Sequence, residues 1–204
     1  MKLTKPQIKA HNECLDLLSK DRLTYEEKCF IYENWYPAYG NQIGVIASFF
    51  TPFGLANDFQ LMVSGDSLVD LCAGIGMLSF LHYHRMKSWE YKETRIVCVE
   101  RNSDFVEVGK KVFPEATWIQ GDVLDEELIK SLGRFDIAVS NPPFGKIKSD
   151  TSSGWLRYKG SEFEYKVIEI CGYLADTASF ILPQMSVPFK YSGCRGFETQ
   201  QTEK

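Results

Sequence analysis

At 204 residues and 44% hydrophobic content, the chain has room for one well-buried domain and too little for two comfortable ones. A formal charge of −4 removes any argument from global charge for nucleic-acid binding, so only a local basic strip could serve that purpose. The six cysteines (Cys14, Cys29, Cys72, Cys98, Cys171, Cys194) include no Cys-x-x-Cys pair, a pattern of reduced thiols that leaves no case for a disulfide framework.

A metal site is not expected either. Of the three histidines, His82 and His84 fall two apart in a predicted helix, where their side chains diverge. The start Met1 to Pro6 has no apolar core of signal-peptide length, and no run approaches a membrane span. The expectation is a soluble, cytoplasmic protein with no membrane partner.

Residues 5–20 carry Ile8, Leu15, Leu17 and Leu18 in an approximate helical stripe. Thr24-x-x-Glu27 is a capping-box signature for a second helix through Phe30, Ile31 and Trp35, stopped by Pro37. The aromatic residues here (Tyr25, Phe30, Tyr32, Trp35, Tyr36, Tyr39) suit core packing, and a substrate surface is the alternative. Residues 1–47 read as an N-terminal helical segment, with the main domain running over 48–204. At its start, Thr51 is placed to cap a helix with Pro52 as first residue, and Leu55, Phe59 and Met62 would lie down one face.

From Asp66 the rhythm becomes strand, helix, strand. Ser67 to Leu71 is a short buried strand. The turn Cys72-Ala73-Gly74-Ile75-Gly76 follows, then a helix through Met77, Leu78, Leu81 and Met86. Thr94 to Glu100 is a second strand ending in a carboxylate, and Asn102 can cap the helix after it. Thr117 to Ile119 is a third strand leading into Gly121-Asp122. Phe135 to Val139 is a fourth. Ile147 to Gly160 reads as a mobile loop, Ser161-x-x-Glu164 as a second capping box, and Ala178 to Leu182 as a fifth strand. This alternation predicts an α/β, Rossmann-like, doubly wound and mostly parallel sheet with helices on both faces. Such a sheet binds ligands at the carboxyl ends of its strands.

The sharpest of those ends is Ser140-Asn141-Pro142-Pro143-Phe144-Gly145-Lys146. Two prolines cannot continue a central strand, so the chain must stop there in a rigid loop. The Asn141 side-chain oxygen and the Pro142 carbonyl can accept both N–H groups of a planar amine. Phe144 can stack on the ring that carries it. Hydride chemistry has no use for this arrangement, whereas amine alkylation does.

At the other strand ends, Asp70-x-x-x-Gly74-x-Gly76 allows close backbone approach to a ligand, and Glu100 can accept from both hydroxyls of a ribose. Asp122 could accept from an exocyclic amine of an adenine, or could instead cap a helix, a role open to Asp125 as well.

Residues 66–146 resemble the catalytic core of the class I S-adenosylmethionine-dependent methyltransferases. The Asn141-Pro142-Pro143-Phe144 motif resembles that of enzymes methylating adenine N6, and Phe50-Thr51-Pro52 resembles an additional cofactor motif of adenine-N6 DNA methyltransferases. The resemblance implies that Asn141, Pro142, Pro143 and Phe144 are catalytic. It further implies that S-adenosylmethionine is held by Thr51 near the methionine carboxylate, Asp70 near its amino group, Cys72, Gly74 and Gly76 in the turn, Glu100 on the ribose and Asp122 on the adenine.

The implied partner is nucleic acid, DNA before RNA. Lys146, Lys148, Arg157 and Lys159 could hold flanking phosphates, or could be a solvated polar loop. Related motifs act on guanine N2 and on protein glutamine, and a catalytically idle cofactor- or nucleic-acid-binding module is the alternative of another class. After Leu182 too few residues remain for the helix and two further strands of such a fold. The expectation is therefore a domain incomplete at its C-terminus, or an open sheet edge covered by a partner or a second copy in a homodimer.

Overall fold

The structure is a computed structural model and describes residues 3–36, 50–89, 94–187, 189–190 and 198–199. The expected boundary between 47 and 48, the Pro37 stop, Tyr39, Cys194 and the polar tail from Gln200 lie outside the described residues.

Short apolar runs rich in branched residues become strands because both of their faces are covered. β1 (Ser67–Leu71), β2 (Arg95–Glu100), β3 (Thr117–Gln120), β4 (Phe135–Ser140) and β5 (Ala175–Phe180) form one sheet in the order β3-β2-β1-β4-β5, with every neighbouring pair parallel. The direction of strand addition reverses between β1 and β4, which opens a crevice at their carboxyl ends. Register levels that crevice. Asp70 pairs with Cys98 on one side and Val139 on the other, so Glu100 and Asn141 each lie two residues past a partner of Asp70.

Among the described residues seven helices surround the sheet: α1 (Lys5–Leu18), α2 (Tyr25–Asn34), α3 (Phe53–Phe59), α4 (Met77–Trp89), α5 (Ser103–Val112), α6 (Glu126–Ser131) and α7 (Phe163–Leu174). In α4 every residue from Met77 to Tyr83 is buried, as a helix covered on all sides must be. One side of it meets the sheet. The other receives α2, whose Tyr25 and Tyr32 rings lie 5.6 and 4.8 Å from the Phe80 ring. Cys14, Ile31 and Tyr32 thereby share one core with Leu68, Ile96, Cys98 and Ile137. On the opposite face Ile129 of α6 and Val167 and Ile170 of α7 pack with Val69, Val97, Val99 and Ala138.

The Thr24 capping box forms as expected, with Thr24 accepting from the Glu27 N–H at 3.2 Å and Glu27 accepting from the Thr24 N–H at 2.9 Å. The N-terminal aromatics are packing residues: Trp35 meets Phe50 and Phe105, and Tyr36 donates its N–H to His11 Nδ1 at 3.1 Å.

Several local expectations change. In α1 the buried residues are His11 and Cys14, while Leu15 is 49% exposed, because α1 packs on α2 through the turn that carries them. In α3 the cap is Pro52. Ala56 is the buried residue there, since a small side chain allows close approach to α4, and Leu55 and Met62 face solvent. β5 starts at Ala175 and not Ala178; as an edge strand it exposes Asp176 and Thr177, which hides it from a search for apolar runs. Glu162, not Ser161, holds the cap position of α7, and Glu164 turns inward.

Residues 147–160, expected as a mobile loop, are pinned. Leu156 is buried, Trp155 donates to the Leu124 carbonyl at 2.8 Å, and Glu169 accepts the N–H groups of Arg157 and Tyr158. Beyond Leu182, where no strand was expected, β6 (Phe189–Lys190) and β7 (Glu198–Thr199) pair antiparallel. No helix among the described residues is long and apolar enough to cross a membrane.

Candidate active site

A cavity of about 620 Å³ opens at the carboxyl ends of the strands, and every residue expected to be catalytic or to hold the cofactor lines it except Gly76. The turn after β1 makes one wall. Cys72, Gly74 and Gly76 all adopt positive φ (59°, 58° and 87°), a conformation that costs the glycines little and strains Cys72. A Cβ on Gly74 would lie 3.0 Å from the Phe50 ring, and one on Gly76 would lie 2.9 Å from the Trp118 ring. Gly76 therefore serves the packing beneath the turn while Gly74 faces the cavity. Tyr32 of α2 donates to the Ile75 carbonyl at 3.3 Å, tying the N-terminal helices to this wall.

Asp70 is 1% exposed. Its Oδ2 accepts from the Ser79 hydroxyl at 2.5 Å, and its Oδ1 is buried with no hydrogen-bond partner among the described residues. Burial pushes its carboxyl up to about 7, opposed by the Ser79 bond and reinforced by Glu100. A buried carboxylate oxygen without a donor, on a cavity wall, suits a ligand that brings a cation or an N–H group. Glu100 accepts the N–H groups of Gly74 at 2.9 Å and Asn102 at 2.8 Å. Burial raises its carboxyl as well, with those two donors opposing. These groups fit the amino and ribose parts of S-adenosylmethionine, with the Gly74 turn between them.

Asp122 does not cap α6; Asp125 does, accepting from the Glu127 and Leu128 N–H groups at 3.0 and 3.2 Å. Asp122 accepts instead from the Leu124 N–H at 2.9 Å and from the Ser149 hydroxyl at 2.6 Å, with Arg101 at 3.8 Å.

Another wall of the cavity is the loop after β4. Ser140 donates its hydroxyl to the Leu71 carbonyl at 2.5 Å, stitching the ends of β4 and β1 together. Asn141 donates Nδ2 to Thr51 Oγ1 at 2.8 Å. Pro142 is buried, and Phe144 is 37% exposed at the cavity mouth. Thr51 therefore holds the acceptor loop from the segment before α3, a role its expected cap position did not suggest.

Of the four basic residues, Lys148 lines the mouth. Lys159 is taken up by the Gly154 and Leu156 carbonyls at 2.9 and 2.6 Å, which removes it from phosphate contact. Sequence reading missed Ser79, Ser140, Ser149 and Glu164. Ser79 left one signal, a polar residue inside the apolar run Met77-Leu78-Ser79-Phe80-Leu81 that opens α4.

The methyltransferase small domain family matches residues 55–156, half of the chain. No curated protein sequence matches it. Among solved structures, it is similar to a protein from Listeria monocytogenes described as a class I S-adenosylmethionine-dependent methyltransferase (15% identity, 89% of this chain and 67% of that one, TM-score 0.59). It is also similar to the methyltransferase subunit of a type I restriction-modification system from Streptococcus thermophilus (19% identity, 70% and 36%, TM-score 0.54). A third is the M protein of the type I restriction enzyme EcoKI (12% identity, 88% and 44%, TM-score 0.57). The chain spans from about a third to a little over half of the length of several structures it matches. At these identities the structures speak for the fold. The family match shows that the chain belongs to the methyltransferase small domain family, with S-adenosylmethionine as cofactor, and the structures show the Rossmann-like fold of S-adenosylmethionine-dependent methyltransferases.

Proposed function

We propose that the protein transfers a methyl group from S-adenosylmethionine to an exocyclic amine of a nucleobase, adenine N6 in DNA first. The observation that carries this reading is that the Asn141 loop and the Asp70–Glu100 wall share one cavity. S-adenosylmethionine, when bound, supplies the methyl group from its sulfonium centre, the S–C bond breaking as an N–C bond forms.

The chain's own residues hold and orient. Asp70 takes the cofactor's amino group and Glu100 its ribose, while Asp122 takes its adenine. Asn141 and the Pro142 carbonyl accept the two N–H groups of the acceptor amine, aim its lone pair at the methyl carbon, and release its proton to solvent. Phe144 stacks on the base at the mouth. In duplex DNA the base must leave the stack to reach Asn141, and Lys148 is placed to meet a flanking phosphate. The DNA preference draws support from the resemblance of Phe50-Thr51-Pro52 to the DNA-methyltransferase motif.

The test is calorimetry with S-adenosylmethionine followed by transfer of labelled methyl to pools of DNA, RNA and protein, for wild type and Asn141→Ala. The expected outcome is unchanged cofactor binding and a turnover loss of about 10²–10³-fold in the variant. An equal rate from Asn141→Ala would overturn the assignment.

A further inference from the structure

Glu164 is a buried carboxylate that the proposed transfer does not use. It is 3% exposed, lies in the first turn of α7, and accepts from the Gly145 N–H at 2.8 Å and from the Ser186 hydroxyl at 2.9 Å. Gly145 directly follows Phe144 and sits at φ +79°. Its carbonyl accepts from the Phe163 N–H at 2.8 Å, and the Lys146 backbone pairs with that of Glu162 in an isolated antiparallel β-bridge. Ser186 belongs to the 3-10 turn after β5, and its carbonyl accepts from the Tyr165 hydroxyl at 3.0 Å.

We infer that Glu164 is a positioning residue for the acceptor loop: its carboxylate orients the Phe144–Gly145 peptide, and through it the Phe144 ring, by clamping that peptide to the segment after β5. The inference rests on the reading of Asn141 to Phe144 as the clamp for an acceptor amine.

Two features separate this from plain packing. The Gly145 carbonyl and the Lys146–Glu162 β-bridge also attach the loop to α7, so the carboxylate is not its sole tether. What the carboxylate alone fixes is the direction of the Gly145 N–H. That direction and the ψ angle of Phe144 are one rotation about the same peptide plane. A buried carboxylate is also a costly way to satisfy two neutral donors, and its burial gains orientation more than stability.

Substitution distinguishes the roles. In Glu164→Gln the amide oxygen can still accept from Gly145 while its NH₂ donates to the Ser186 hydroxyl oxygen, so both contacts survive. Glu164→Ala removes both and leaves the Gly145 N–H without its acceptor.

The experiment follows amide hydrogen exchange of Gly145 by NMR, with Ile170 and Val99 as internal references, alongside S-adenosylmethionine affinity and methyl transfer to the DNA and RNA pools. In Glu164→Ala the Gly145 amide should exchange about tenfold faster with Ile170 and Val99 unchanged. Turnover should fall about tenfold at unchanged cofactor affinity, and Glu164→Gln should stay within about twofold of wild type in both readouts. Unchanged Gly145 exchange in Glu164→Ala overturns the inference, and so does an equal rise at all three amides, which would report general loosening. If wild type methylates neither pool, the amine-clamp reading fails, while the exchange ratio between Glu164→Ala and Glu164→Gln still decides whether Glu164 orients the peptide.

Discussion

Asn141 Nδ2 lies 2.8 Å from Thr51 Oγ1 across 90 residues of sequence, joining the segment before α3 to the loop after β4. The resemblance puts Thr51 beside the cofactor's carboxylate, whereas the geometry has it holding the acceptor amide. The two roles predict different kinetics. Thr51→Val keeps the shape and removes the hydroxyl. Acting through Asn141, it should lower kcat about tenfold with little change in S-adenosylmethionine affinity, and Thr51→Ser should restore the rate. A change confined to cofactor affinity would return Thr51 to the carboxylate role.

Asp70 gives a pH dependence whose sign can be worked out. Its carboxyl is pushed from 3.8 up to about 7, so between those values the folded chain holds a proton that the unfolded chain has lost. Stability contributed by this group is therefore present at low pH and lost as pH rises through that window. A cofactor ammonium group prefers the ionised carboxylate, so affinity should rise with pH toward about 7 and then level. Calorimetry across pH 5.5–8 checks it, and Asp70→Asn should flatten the curve; an unchanged slope in that variant would assign the titration elsewhere.

Phe144, exposed at the mouth, should contribute to acceptor binding and not to the cofactor. Phe144→Ala should weaken the acceptor by about 1–3 kcal/mol, read as about 5–150-fold in KM or kcat/KM, with S-adenosylmethionine binding unchanged. Loss of cofactor binding would mean that the ring supports the cavity itself.

The turn under Gly76 can be probed from the far side. A Cβ on Gly109 of α5 would come within 2.2 Å of the Trp118 ring, which also packs beneath Gly76. Gly109→Ala should destabilise the fold by about 1–3 kcal/mol in denaturant titration and weaken cofactor binding by displacing that ring. Wild-type values for both would show that α5 yields without moving Trp118.

Where the cavity wall is made of consecutive residues, its placement is legible in the sequence. The strand ends, the Gly74 turn, Glu100 and the Asn141 loop follow from local rules about breakers, glycine and periodicity. The contacts between distant residues were not legible. Glu164 looked like the last member of a capping box, and only the meeting of α7 with Gly145 and Ser186 turns it inward. Ser149 reaches Asp122 because residues 147–160 are pinned by Trp155 and Glu169, whereas their Ser, Gly and Lys content reads as solvated loop. β5 was placed late because an edge strand does not need apolar residues on its open side.

The most direct measurement is identification of the methylated product. DNA treated with wild-type protein and labelled S-adenosylmethionine is digested to nucleosides and separated, with the RNA and protein pools in parallel. The account predicts label in N6-methyladenine from DNA, absent with Asn141→Ala. Label in N2-methylguanine, in protein glutamine, or in no pool at all would contradict it.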